Sequence, residues 1–115
     1  MLPPDYRLRK TKEFKQVASL RQAVRENGLL VKAKPSAKEH ARFGIVVGKK
    51  VAKHAVRRNR IRRVLRAAIE EDLAKIKPGF DIVLIVLPGF DEEDGKATRN
   101  AVRRLFKRAS LLQQP

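Results

Sequence analysis

The segment KKVAKHAVRRNRIRRVLR, from Lys49 to Arg66, holds six arginines within its last ten residues (Arg57, Arg58, Arg60, Arg62, Arg63 and Arg66) and no acidic side chain. Like charges at this density repel one another, so the segment must fold with its cations turned outward, toward an external polyanion. Its apolar residues show how. At about 100° per residue, Ile61, Val64, Leu65, Ala68, Ile69, Leu73 and Ile76 fall on one side of a helix. Asn59, Arg62, Arg63 and Arg66 fall on the other, with Arg60 behind them and Arg58 at the border. An exposed helix face ordinarily mixes signs, because i,i+4 ion pairs are worth about 0.2–0.5 kcal/mol each. Here acids return only at Glu70, Glu71 and Asp72, so the basic face has no partner nearby in sequence and is expected to meet a phosphate backbone. Arginine, rather than lysine, suits bidentate phosphate contacts and stacking on bases.

The remainder of the chain narrows the class of function. Its 115 residues leave room for one domain, 1–115, with one modest core. A net charge of +16 places it among nucleic-acid binders. No apolar run approaches the roughly 20 residues that cross a bilayer, and MLPPDYRLRKTKEF lacks the apolar centre of a signal peptide. A cytoplasmic protein without a membrane partner is therefore expected. The absence of cysteine excludes disulfides, thiolate zinc sites and cysteine nucleophiles. His40 and His54 stand apart with no carboxylate at ligand spacing, so no metal site is expected. The serines and threonines lack a histidine and acid at recognisable spacing, and no Gly-rich phosphate loop precedes a helix. From its residues the chain is a binding module with no catalytic residue of its own.

Met1 to Lys10 reads as a flexible basic arm, whose Arg7, Arg9 and Lys10 either touch phosphate or fray with the terminus. Thr11 is placed to cap a helix of about ten residues, with Phe14, Val17, Ala18 and Arg21 along one side. Phe14 is either a core residue or a platform for a base. Asn27-Gly28 signals a turn, and Leu29–Lys34 and Phe43–Val47 read as two strands forming an antiparallel hairpin. The arginine helix is expected from Ala55 to Ile76, ending at Lys77-Pro78-Gly79. Phe80–Leu87 is almost continuously apolar, as an interior strand buried on both faces should be. The acids Asp91 to Asp94 precede a last helix, Lys96–Leu111, and are read as complements to its dipole. Its Arg99, Arg103, Arg104, Lys107 and Arg108 are read as a solubilising face with general RNA attraction. The expected fold is α+β: a small mixed sheet packed with three helices in the order α-β-β-α-β-α, with room for a further strand between Leu29 and Val47.

The pattern Ala55-x-x-Arg58-Asn59-Arg60-Ile61-Arg62-Arg63-x-x-Arg66 resembles the arginine–asparagine–arginine signature of the bacterial ribonuclease P protein family. Arg7-Leu8-x-Lys10 with Glu13-Phe14, Phe43-Gly44-Ile45-Val46-Val47-Gly48-Lys49-Lys50 and Leu105–Leu111 are similar to other parts of that family, in the same order. The resemblance implies a subunit that joins a large catalytic RNA to remove the 5′ leader of precursor tRNA. The RNA performs the chemistry with Mg2+ held mainly by RNA and substrate, and the protein alone is inactive. It further implies RNA contacts by Lys49, Lys50, Lys53, Arg58, Asn59, Arg60, Arg62, Arg63 and Arg66, and a leader cleft at Phe14, Val17, Ala18 and Lys32. A left-handed crossover around the signature helix and a single protein copy per RNA are implied too. The chain departs from the family at Ala18, Lys32 and Leu112, where aromatics are common, which implies a leader held more by charge than by stacking. A structural RNA binder such as a small ribosomal protein is the alternative, sharing the charge but not this spacing. A self-sufficient nuclease would need an acid–base or metal site that the residues do not supply.

Overall fold

The computed structural model describes residues 3–113. In chain order these form a 3-10 turn at Pro4–Tyr6, α1 (Thr11–Ala18), β1 (Val24–Glu26), β2 (Leu29–Pro35), β3 (Arg42–Val46), α2 (Ala55–Glu71), a second 3-10 turn at Leu73–Lys75, β4 (Phe80–Val86) and α3 (Gly95–Arg108). Residues Asp81 to Leu84 of β4 are buried in succession, so the strand needs cover on both faces. It accordingly lies inside the sheet, whose order is β1-β2-β4-β3. β2 pairs with it antiparallel, Leu29 opposite Val86 through Pro35 opposite Phe80, and β3 pairs with it in parallel.

The expected hairpin of β2 with β3 therefore does not form. Both strands are better satisfied by the doubly apolar β4, which inserts between them. The hairpin that does form joins β1 to β2 across Asn27-Gly28, both in the left-handed region (φ 47° and 78°) that a tight two-residue turn requires. The extra strand thus precedes Leu29. The parallel neighbours β3 and β4 are joined through α2, a β-α-β crossover.

Side-chain alternation sends Leu29, Val31, Phe43, Ile82, Leu84 and Val86 to one face, where α2 and α3 cover them with Ile61, Leu65, Ile69, Leu105 and Phe106. Phe43 and Phe106 stack with centroids 6.2 Å apart. α3 stops at Arg108 because Ser110 turns left-handed, letting the Leu111 and Ser110 amides close back on Phe106 and Lys107 and returning Leu111 to the core. Likewise α2 ends at Glu71, and its last expected turn tightens into the 3-10 turn.

The opposite face holds a smaller cluster of Leu8, Val17 and Val83, with Phe14, Leu20 and Ile85 against it. Residues 7–8, expected in a loose arm, lie along β3. The Leu8 amide donates to the Phe43 carbonyl (2.8 Å), and burial of the Leu8 side chain supplies the reason for order. Thr11 is the first helical residue rather than a cap, and no side chain caps α1. Instead α1 is tied to the sheet at both ends. Arg42 makes a two-bond fork to Asp81 (2.9 and 2.8 Å) and reaches Glu13 in the first turn (2.6 Å). Lys32 Nζ donates to the Ala18 carbonyl in the last turn (2.6 Å), a favourable place for a cation. Between these ties Phe14 lies on Gly44, where a Cβ would fall within the ring.

Glu26 accepts from Arg104 and Arg108 (2.8 and 3.0 Å), fastening β1 to α3. Hydrogen bonds from Arg42 to Glu13 and from Arg104 to Glu26 hold both carboxyls below the usual carboxylate range. A carboxyl depressed on folding stabilises above its unfolded pKa and ceases to do so as pH falls through the folded value. Stability measured by urea unfolding should thus decline as pH drops from about 5 to about 3, and Glu13→Gln with Glu26→Gln should flatten that decline. An equally steep decline in the double variant would assign it to other carboxylates. Gly44→Ala should cost about 1–3 kcal/mol by overpacking and much less in a Phe14→Ala background. Equal losses in both backgrounds would separate the ring from position 44.

Candidate nucleic-acid interface

α2 buries Ile61, Leu65, Ala68 and Ile69, which leaves its polar residues on two flanks. One faces the loop before α3. There Arg57 Nε and Nη2 donate to the two oxygens of Glu92 (both 3.2 Å), while its other contacts are the Val51 and Phe90 carbonyls. Arg60 Nη1 lies 3.9 Å from the same carboxylate. The Arg57 hydrogen bond, helped by the charges of Arg57 and Arg60, keeps the Glu92 carboxyl below its ordinary range despite burial. Glu92 was expected to complement the α3 dipole; its side chain turns to α2 instead. Of the neighbouring acids, Asp94 caps α3 by accepting from the Ala97 amide (3.0 Å), and Asp91 accepts from the Glu93 amide.

The second flank faces β3 and the N-terminal segment. Arg58 donates to the Ala52 and Lys53 carbonyls (3.0 and 2.8 Å), closing the loop that carries the exposed Lys49, Lys50 and Lys53. Arg62 donates to the Asn59 amide oxygen (3.0 Å), and Asn59 and Arg63 are exposed. Arg66 is half-buried. Desolvation first, then repulsion from Arg7 and Arg62, pulls its pKa down from the usual arginine value. It lines a cleft of about 260 Å³ with Arg7, Arg9, Phe14 and Gly44, so this flank opens directly onto the α1 side of the sheet. The first turn of α2 contains no acid and its cap makes no side-chain bond, leaving the positive end of the helix dipole to add to the field.

The expected basic face of α3 is largely neutralised. Arg99 pairs with Glu71 (3.2 Å), Arg103 forks onto Asp72 (3.0 and 3.1 Å), and Arg104 and Arg108 share Glu26. These partners lie on other elements, where inspection of one helix at a time does not find them. Lys107 alone of the five residues named is exposed without a recorded pair among the described residues.

Of the four residues assigned to a leader cleft, all lie on the α1 side of the sheet but differ in access. Val17 is 1% exposed and belongs to the core. Phe14 and Ala18 are half-buried, and Lys32 is engaged with the Ala18 carbonyl. The cross-strand pairs Leu30 opposite Ile85 and Val46 opposite Ile85 place three further apolar side chains on the same face. Val46 is 37% exposed. Sequence reading passed over this patch. Its signal was an apolar residue at outward positions of β2 and β3, where a solvated face would carry polar ones. Leu112, by contrast, packs against the main core and pairs with Ile76, away from this face. His40 packs tilted against Tyr6 with ring centroids 4.5 Å apart, and no group of three potential metal ligands converges among the described residues.

Comparison with known proteins agrees with this geometry. The sequence model of the family Ribonuclease P matches residues 2–110. The chain is 42% identical to the ribonuclease P protein component of Synechocystis sp., covering 96% of this chain and 90% of that one. It is also 42% identical to the Chromobacterium violaceum component, covering 88% and 83%. The Staphylococcus aureus RNase P protein superposes with a TM-score of 0.82 at 25% identity, covering 94% of this chain and 98% of that one. The Thermotoga maritima protein does so with 0.78 at 29% identity, covering 89% and 96%. These matches favour the ribonuclease P reading over a small ribosomal protein, and the chain belongs to the ribonuclease P protein family.

Proposed function

We propose that the chain works with the catalytic RNA of ribonuclease P to mature precursor tRNA at its 5′ end, holding both RNAs rather than cutting either. The observation that carries this is the asymmetry of α2. The Glu92 carboxylate occupies the flank toward α3, whereas Arg62, Arg63 and Arg66 face the other way, where Arg62 donates to the Asn59 amide oxygen. Guanidinia crowded together at partial burial are stabilised by an anion, and an RNA backbone supplies a row of them. In this reading Lys49, Lys50, Lys53, Arg58, Asn59, Arg60, Arg62, Arg63 and Arg66 contact the catalytic RNA, and Arg58 also shapes the lysine loop.

The α1 side of the sheet takes the single-stranded leader. Leu30, Val46 and Ile85 offer an apolar floor, Phe14 a ring edge, and Arg9 and Arg66 phosphate contacts where the face meets α2. RNA-binding sheets hold single strands by this combination of flat apolar surface and basic rim. Magnesium held by the RNA and substrate would supply the activated water for phosphodiester hydrolysis. Within the acidic run Asp94 caps α3, Asp91 closes a turn and Glu92 holds Arg57, and no group of three potential metal ligands converges among the described residues. Among the described residues no helix is long and apolar enough to cross a membrane. The proposal places the protein in the cytoplasm as one copy beside the RNA.

Precursor cleavage at low magnesium by the catalytic RNA of the same organism, with and without the chain, tests the proposal. Protein-dependent cleavage at the mature 5′ end, with none by the chain alone, is expected. Loss of stimulation despite tight general RNA binding would overturn it. Arg62→Ala, Arg63→Ala and Arg66→Ala together should reduce the salt slope of catalytic-RNA binding by about 2–3, at roughly 0.7–0.9 per phosphate contact. An unchanged slope removes this flank from the interface. Phe14→Ala should weaken leader-bearing precursor more than mature tRNA, by about 1–3 kcal/mol if a base stacks on the ring. Equal weakening of both would leave Phe14 a purely structural contact with Gly44.

A further inference from the structure

We propose that Arg25 binds a leader phosphate at the far edge of the sheet and so makes leader recognition depend on leader length. This rests on the reading of the α1 side of the sheet as the leader surface. Strand pairing sets Arg25 opposite Leu30, Leu30 opposite Ile85, and Ile85 opposite Val46. The four residues therefore form one row across all four strands. Val24 packs toward the main core and Glu26 reaches α3, so alternation turns the Arg25 side chain to the opposite face, that of α1. The neighbouring row of Lys32, Val83 and Gly44 lies beneath α1, with Val17 clustered on Val83 and Phe14 on Gly44. The Arg25 row is left open: Leu30 and Ile85 are half-buried, and Val46 and Arg25 are exposed.

The open row has a direction. Val46 stands just before the loop of Lys49, Lys50 and Lys53, which meets the catalytic RNA. Arg25 stands at the other end, roughly 14 Å away across three inter-strand steps. A leader arriving from the cleavage site crosses Val46, Ile85 and Leu30 first, and meets Arg25 with nucleotides farther from that site. The backbone holds the arginine in place. β1 has only three residues, yet Arg108 donates to the Arg25 carbonyl (2.8 Å) and, with Arg104, holds Glu26. Glu26 is thus taken by α3, and no carboxylate pairs with the Arg25 guanidinium among the described residues, which leaves its charge to an anion from outside. An apolar floor with a cation at its rim holds a single strand by bases and backbone together. A charge on an edge strand also discourages pairing with a second copy. That role by itself gives no dependence on leader length.

The test uses the holoenzyme reconstituted from the chain and the catalytic RNA, and measures its affinity for precursors with stepwise shortened leaders across a salt series. In wild type, affinity should rise with leader length until a phosphate reaches Arg25. Arg25→Gln should abolish the last part of that rise and lower the salt slope for long-leader precursor by about 0.7, one single-strand phosphate contact. Short-leader precursor and mature tRNA should be unaffected. Arg25→Lys, which keeps the charge, should restore the slope. Lys96→Gln, an exposed charge lost elsewhere, should leave it at the wild-type value. Unaltered length dependence in Arg25→Gln, an equal loss for long and short leaders, or the same loss in Lys96→Gln overturns the role of Arg25 while leaving the proposed function standing. So does a change in self-association alone. Wild type that gains nothing from any leader overturns the leader surface itself.

Discussion

Strand β4 delivers buried side chains to both faces of the sheet, and a strand of that kind needs a hydrogen-bonded neighbour on each edge and a cover on each face. β2 and β3 are the neighbours; α2 with α3, and α1 with residues 7–8, are the covers. Because β3 runs parallel to β4, the chain must cross over the sheet to connect them, and a crossover is ordinarily a helix. The arginine helix is that crossover. Its apolar stripe is required by topology, and its guanidinia are left on the outer surface of a segment that cannot move without dismantling the sheet.

A protein of charge +16 must then decide where its few carboxylates go. They are concentrated at joints. Glu13 and Asp81 meet at Arg42 between α1 and the sheet, Glu26 joins β1 to α3, and Glu71, Asp72 and Glu92 line the junction of α2 with α3. Most of these pairs are partly exposed and individually modest in energy. Their larger consequence is spatial: repulsion is relieved where elements pack and retained where α2 meets the α1 side of the sheet. The half-buried Arg66, beside Arg7 and Arg62, marks the place where it is retained.

Legibility in the sequence followed the range of the interactions. The arginine helix, the interior strand and the last helix were visible because their periodicity is local, and the ends of α2 and α3 shifted only where a 3-10 turn and the left-handed Ser110 closed them. Partnering was less visible. Nothing in Leu29–Val47 itself says that β4, more than thirty residues on, will separate β2 from β3, and nothing around Arg57 announces Glu92. The order of residues 7–8 was hidden for the same reason, since Leu8 is buried against elements that follow it in the chain. In the candidate site, the basic side of α2 was legible as a face but not as two flanks. The Lys32 contact with Ala18 also lay beyond reach, because a lysine on a strand reads as solvent-facing until a helix end is found above it.

Phe14 and Gly44 fit together so closely that neither position can drift by itself. A larger residue at 44 meets the ring, and a smaller one at 14 leaves an unfilled hollow beneath α1. Any lineage that exchanges this arrangement for another must change both positions within a short interval or carry a weakened intermediate. Related chains should therefore divide into those with glycine beneath an aromatic and those with a side chain beneath a small residue. The identity of position 44 then becomes a record of how close to the sheet a chain carries its first helix.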